Sequence, residues 1–385
     1  MTRIWNFLGS LRLTVVLLSL TLLLVFFGTL AQVKLGIYTV QKLYFQSFVI
    51  FWGPEGAGWK IPVFPGGYLI GAVLLVNLIV SQIQRTSFSV GKLGLWLTHV
   101  GIILLILGQL ATDMLQVETH MRLTEGESSN YSESYRDNEL VLIDTSAPDK
   151  DTVISIPEEI LAKRQILGPP LLPPNLPFSI QVIQYMPNSR LFQLAQNSGE
   201  KPAASQGFGR SLAVRPQPLT SKTDERNLPS AIIELRGPQG SLGTWLVSTW
   251  LNDAQEFSHE GKSWQLAFRP RRYYKPYSIT LLKFTHEKYP GTEIPKNFAS
   301  RVLVTNPNTG ERRETDIYMN NPLRYGGETY YQGSYDPNDP RVSILQVVRN
   351  PGWLTPYVAC ILAAAGLLIQ FMTHLIQFVR ERRAA

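Results

Sequence analysis

GKLGLWLTHVGIILLILGQLAT, residues 91–112, carries no charge between Lys92 and Asp113. At about 1.5 Å of rise per residue, some 20 apolar residues cross a hydrocarbon core of about 30 Å. The stretch therefore reads as a transmembrane helix over about 93–112. Its odd member is His99. An ionisable side chain inside a bilayer marks a partner, a cavity or a ligand, because burying it unsatisfied is costly. The imidazole has one donor and one acceptor to place. His99 lies roughly 10 Å in from Lys92, too deep for so short a side chain to reach the interface. Gly94, Gly101 and Gly108 repeat every seven residues on nearly one face. That smooth strip admits a second helix, or a flat ligand, at close range.

Outward from this run the same pattern recurs. Leu13–Ala31 is apolar behind a basic start with Arg3 and Arg12. It reads as an uncleaved first span, since its apolar run is long and no A-x-A site follows. Gly67–Gln84 is a second span, with Asn77 expected to hydrogen-bond across helices. Trp353–Leu375 is a fourth. Between the first two lies a loop rich in Trp, Tyr and Phe, a composition typical of membrane interfaces. Phe45–Trp52 is expected to form a short interfacial helix there.

The 385 residues carry a net charge of +7, and the distribution of that charge is informative. Residues outside 113–350 hold 10 of the 36 basic side chains but only two of the 29 acidic ones, Glu55 and Glu381. Positive charge thus flanks the apolar runs, which argues for membrane topology and against nucleic acid. Arg3, Arg12, Arg85, Lys92 and Arg380–Arg383 all fall on one side if four spans alternate. This puts both termini in the cytoplasm and residues 113–350 outside. The fold class expected is an integral membrane α region (1–112 and 351–385) plus a β-rich extracytoplasmic domain (113–350).

That domain is read as β because ELVLID, TVISI, FSIQVIQY, AIIELRG, TWLVSTW, KSWQLAF, YSITLLKFTH, RVLVTN and RVSILQVV are short and β-branched. LGPPLLPPNLPF reads as extended, polyproline-like chain. Residues 196–227 read as a polar loop or flexible insertion. The single cysteine, Cys360, excludes an internal disulfide and a CxxC pair. No Walker, Rossmann, triad, paired-carboxylate or metal-spacing pattern is present, so no catalytic residue is assigned. The cluster RPRRYYKPY, with Arg271 and Arg272, suits an anionic partner. A solvated strand face is the plainer reading.

NPLRYGGETYYQGSYDPNDP (321–340), followed by RNPGW (349–353) at the last span, resembles the ResB/CcsB family. GTLAQ after the first span, THVGIILLILG around His99 and MRLTEGE beyond it agree, and the likeness runs over nearly the whole chain. The resemblance implies a part in system II cytochrome c maturation. There a CcsA/ResC-type partner and a ResB/CcsB protein together carry haem across the membrane and attach it to the CxxCH motif of apocytochrome c. Thiol-reducing proteins are further partners it suggests. The tryptophan-rich haem signature of the CcsA half is absent here, so this chain matches the B half and is at most one subunit of a haem lyase. The resemblance makes His99 an axial ligand to the iron of haem b, with its second-shell acceptor expected on another helix and the second ligand supplied by the partner. Tyr330 and Tyr331 of the motif, with Arg271 and Arg272, are candidate haem or partner contacts. Tyr325, Tyr330, Tyr331 and Tyr335 are expected to pack the outer domain on the membrane face. His120, His259, His286 and His374 are read as surface or hydrogen-bonding residues. The competing reading is a non-haem scaffold whose outer domain docks apocytochrome, with His99 only a bond between helices.

Overall fold

The computed structural model describes residues 2–53, 59–85, 90–148, 150–164, 170–173, 176–194, 201–220, 226–292 and 295–384. Two compact units emerge. One comprises residues up to Val117 together with Arg349–Ala385, and the other Glu118–Thr220 with Glu225–Val348.

The first unit is helical: α1 (Thr2–Leu8), α2 (Leu11–Val40), α3 (Gly67–Arg85), α4 (Leu93–Leu115) and, after the second unit, α6 (Thr355–Ala384). Among the described residues four helices are long and apolar enough to cross a membrane: those starting at Leu11, Gly67, Leu93 and Thr355. These are the four runs expected. The last continues to Ala384, nine residues past the expected end, because Arg380–Ala384 is built of good helix formers. Ser10 caps α2, its hydroxyl accepting from the Leu13 amide at 3.2 Å.

Asn77 of α3 is fully buried and does cross between helices. Its amide donates to the carbonyls of Leu8 (2.5 Å) and Ser10 (3.2 Å), and its oxygen accepts from the Thr14 hydroxyl at 2.7 Å. Between α2 and α3 the expected interfacial helix at Phe45–Trp52 is not formed. Gln41–Phe45 makes one π-helical turn, and β1 (Val49–Trp52) pairs antiparallel with β2 (Ile61–Pro65). The β-branched and aromatic VIFW favours a strand once a partner strand lies within reach. Residues 54–58 of the Gly-rich connection, 86–89 of the loop between Arg85 and Lys92, and parts of the proline-rich stretch lie outside the described residues.

The second unit is β throughout apart from α5 (Glu158–Lys163) and one 3₁₀ turn, Gly207–Arg210. Its strands are β3 (Val117–Thr124), β4 (Ser128–Asp144), β5 (Thr152–Pro157), β6 (Ser179–Met186), β7 (Ser189–Gln193), β8 (Leu212–Pro216), β9 (Ser230–Gly237), β10 (Gly240–Ser248), β11 (Gln255–His259) and β12 (Lys262–Lys288). They continue with β13 (Pro295–Asn306), β14 (Glu311–Tyr318), β15 (Leu323–Tyr325), β16 (Glu328–Asp336) and β17 (Asp339–Arg349). All nine runs read as strands lie in them. The stretch 196–227 is corrected in part. Leu212–Pro216 pairs in full register with Ser189–Gln193, because LAVRP alternates as an edge strand does.

One 10-stranded sheet runs β14-β13-β12-β4-β3-β17-β16-β15, with β11 also paired to β12 and β5 to β4, and a smaller one runs β10-β9-β6. The axis is β12. Its first half, Trp264–Pro270, pairs with β4; its last part, Ser278–Lys288, pairs with β13. Each half serves a separate core. Leu140, Leu142, Trp264 and Leu266 join Ile180, Ile233 and Trp245 in the first. Ile279, Leu281, Val302, Tyr330 and Leu345 form the second.

Candidate functional site

The helix pair α4–α6 defines the first candidate. Gly94, Gly101 and Gly108 are buried, and each abuts α6. A Cβ on Gly101 would lie 2.7 Å from the Ala359 carbonyl oxygen and 2.9 Å from the Ala363 nitrogen. On Gly94 it would meet the Gly366 oxygen and Gln370 nitrogen at 2.7 Å. The strip is thus filled by a helix backbone, and no flat ligand occupies that face.

With about 100° per residue, His99 projects roughly 160° away from this seam. It shares its face with Leu95 and Ile102, both partly exposed. The ring Nδ1 lies 2.9 Å from the Leu95 carbonyl oxygen. A carbonyl carries no proton, so Nδ1 must hold one and donate it. In a neutral ring that places the proton on Nδ1 and leaves the Nε2 lone pair available, and no described residue bonds to Nε2. The acceptor was expected on another helix; it is the preceding turn of α4 itself. The i−4 carbonyl is the nearest acceptor on a helix, and it orients the ring without a second helix. A fixed Nδ1–H of this kind sets the orientation of the ring on α4.

Four turns further on, the same side of α4 carries Asp113, which the sequence reading passed over as a boundary charge. Its carboxylate accepts from the Tyr68 hydroxyl of α3 and from the Gln46 side-chain amide. The signal was available: a lone acid ending an apolar helix seeks donors from neighbouring segments.

RPRRYYKPY proves to be the joint of β12, where its pairing shifts between Pro270 and Arg272 and again between Tyr274 and Ile279. Three of its four cations are engaged inside the domain. Arg269 meets Glu139 at 3.2 Å, Arg272 meets Glu133 at 2.9 Å, and Lys275 meets Glu328 at 2.7 Å. Arg272 also lies 4.1 Å over the Tyr131 ring. Only Arg271 projects outward, over Tyr273. As a surface for propionates the cluster is therefore corrected to one free cation among the described residues.

The motif at 321–340 is likewise structural in its centre. Tyr325-Gly326-Gly327-Glu328 is a two-residue hairpin with φ of 59° and 78° at its glycines, values that a tight primed turn demands. Tyr330 is fully buried, its hydroxyl 2.8 Å from that of Tyr277 and 2.7 Å from Glu328. Its burial removes Tyr330 from any contact surface and corrects its expected role. Tyr325 and Tyr335 likewise pack within the second core of their own domain. Tyr331 alternates outward and stays accessible. Burial and the shared Glu328 raise the Tyr330 and Tyr277 hydroxyls far above the usual phenol range.

The remaining histidines are packed against rings more than hydrogen-bonded. His259 lies edge-on to Phe178 at 5.6 Å, and His286 lies 4.2 Å from Tyr335. His120 sits 5.3 Å from Tyr135, and burial lowers its pKa, with Arg226 adding to the shift and Glu118 opposing it. His374 instead bonds Gln370 at 2.7 Å. No group of three metal-ligating side chains occurs among the described residues.

Residues 240–343, from β10 through the joint of β12 and the glycine hairpin into β17, match the family model of the ResB-like family. That segment is ResB-like. The chain is also 27% identical over 297 residues to Protein NrfI of Wolinella succinogenes, an alignment covering 77% of this chain and 29% of that protein. The chain thus spans less than a third of that curated relative. His99 lies outside the 240–343 region, so its role rests on the geometry of α4.

Proposed function

We propose that this chain is a membrane subunit of a system II cytochrome c maturation complex. With a CcsA/ResC-type partner it carries haem across the membrane and presents it for thioether attachment to the CxxCH motif of apocytochrome c. The ResB-like match supports a role in cytochrome c biogenesis. The observation that carries the haem reading is His99: Nδ1 held by the Leu95 carbonyl, Nε2 turned outward, on the α4 face away from α6. A neutral imidazole on a protein surface of apolar side chains suits the iron of haem b, whose flat macrocycle is itself apolar. The second ligand and the other wall come from the partner in this reading.

The chain's own residues then hold and orient rather than catalyse. The Leu95 carbonyl keeps the Nδ1 proton and so keeps Nε2 basic toward a metal. The glycine seam fixes α4 against α6, so the imidazole has a rigid base. The thiols of the apocytochrome supply the nucleophiles and the haem vinyls the electrophiles. The basic flanks at Arg3, Arg12, Lys92 and Arg380–Arg383 support cytoplasmic termini, with the β domain on the periplasmic side of the inner membrane.

The test is the absorption spectrum of the chain purified with its CcsA-type partner, as wild type and as His99→Gly, without and with free imidazole. A reduced b-type spectrum that is lost in the variant and restored by imidazole is expected. An unchanged spectrum in His99→Gly removes His99 from the site and leaves a docking scaffold.

A further inference from the structure

The segment joining the first two spans has more apolar surface than a loop in water tolerates. The apolar stretch from Leu11 to Phe45 is 35 residues long, about 52 Å as helix, well beyond a hydrocarbon core of about 30 Å. The chain resolves the excess at Gly36. Its φ of 75° and ψ of 157° break the helix after Leu35, about 37 Å from Leu11. Everything from Ile37 to Gly66 must then fit at one membrane face before α3 begins at Gly67.

The hairpin β1–β2 is pinned at that boundary. The Gly66 amide donates to Phe48 O at 2.9 Å and the Tyr68 amide to Ser47 O at 3.2 Å. A side chain on Gly66 or Gly67 would overlap the backbone of Ser47 or Phe45, so the base of the hairpin closes directly on the first turn of α3. Ile50 points inward to the cluster of Leu17, Leu24 and Ile70. The rest faces outward: Phe48, Phe51, Trp52, Trp59, Ile61 and Val63 are each 46–62% exposed. Lys42 and Lys60 are the only charges among the described residues from Ile37 to Gly66, with Lys42 lying over the Tyr38 ring.

We propose that residues 37–53 and 59–66 form an interfacial platform that lies in the headgroup–acyl boundary of the leaflet where the first two spans join, with phospholipid as its ligand. Trp and Tyr rings with Lys42 and Lys60, against the single acid Glu55 in the sequence of the segment, match what that layer selects. Both ends of the segment run directly into spans, so the exposed rings stand at the depth of that layer. A protein partner would need the same surface only when bound; lipid covers it always. The inference needs the spans to cross a bilayer and is independent of haem.

The test uses the full chain in nanodiscs of phosphatidylcholine and phosphatidylglycerol, in a Cys360→Ser background. Single cysteines replacing Phe51, Trp52, Ile61 and Val63 carry a nitroxide, and collisions with oxygen and with a water-soluble nickel chelate are measured. Leu107→Cys on the exposed side of α4 is the deep-lipid reference, and Asn308→Cys in an exposed turn of the β domain is the aqueous one. Oxygen accessibility exceeding nickel accessibility several-fold at the hairpin sites, at a depth of about 5–10 Å, is expected. Nickel accessibility equal to that at Asn308 overturns the proposal. So does protection that appears only when a partner subunit is added. A nickel-accessible Leu107 refutes the membrane assignment itself, a separate failure.

Discussion

Gly101→Ala tests the helix seam most directly. The added methyl would sit 2.7 Å from Ala359 O, 2.9 Å from Ala363 N and 3.1 Å from Ala363 Cβ. Carbon pairs rest at about 3.5–4.0 Å. Two of the three obstacles are backbone atoms, so no side-chain rotation relieves them, and α6 must retreat by several tenths of an ångström. Overpacking of this kind costs about 1–3 kcal/mol. Gly94→Ala meets backbone at the same range, whereas Gly108→Ala meets only the Thr355 side chain and costs less. Gly94 and Gly101 lie about 10 Å apart along the axis, far enough for their costs to add. Gly71→Ala in α3 is the control, because nothing lies within 4 Å of its Cβ position. The assay is thermal unfolding of the full chain in detergent, with a cysteine pair across α4 and α6 reporting their separation by crosslinking rate. Gly101→Ala as stable as Gly71→Ala, with unchanged crosslinking, would falsify the packing argument.

Three further outcomes follow from buried polar groups. Asn77→Leu removes two bonds to the backbone at residues 8 and 10; it should cost about 0.6–2 kcal/mol and speed proteolysis of the N-terminal residues. Lys275→Met strands the Glu328 carboxylate beside two buried phenols and should destabilise the β domain by about 3–5 kcal/mol. Adding Glu328→Gln should recover part of that loss, measured by near-ultraviolet dichroism on heating. His120 is held below its ordinary pKa of 6.5 in the fold, so under pH 6.5 the unfolded chain takes up the proton first. Stability should fall as pH drops below 6.5, and His120→Gln should flatten that slope in pH-dependent denaturation.

The four long apolar helices and eight of the strands were legible because each rests on periodicity: unbroken apolar runs for the helices, β-branched alternation for the strands. Asn77 was legible too, since a lone amide in a span has few options other than a neighbouring helix. The sequence misled where the outcome depends on what pairs with what. VIFW at 49–52 is apolar enough for a helix and becomes a strand only because Ile61–Pro65 returns beside it. The cations of RPRRYYKPY look free in the sequence, yet Glu133, Glu139 and Glu328, up to 139 residues distant, neutralise three of them. Tyr330 and Tyr331 are adjacent letters in one motif, and strand alternation sends one to the core and the other to the surface.

That division bears on where function lies in this chain. The most recognisable motif builds a joint: the Gly326-Gly327 hairpin lies against Tyr277, and Lys275, Glu328 and Tyr330 tie it to the bend of β12. A sequence signature of this kind is explained by backbone geometry and buried polar satisfaction, without any ligand. His99 presents the opposite case. Nothing in the described structure satisfies its Nε2, and its face of α4 is left to whatever lies beside it. The ring bonds its own helix through Nδ1 and turns Nε2 outward. An outward Nε2 can meet either a haem iron or a donor on a neighbouring subunit's helix, and rescue of His99→Gly by imidazole separates the two.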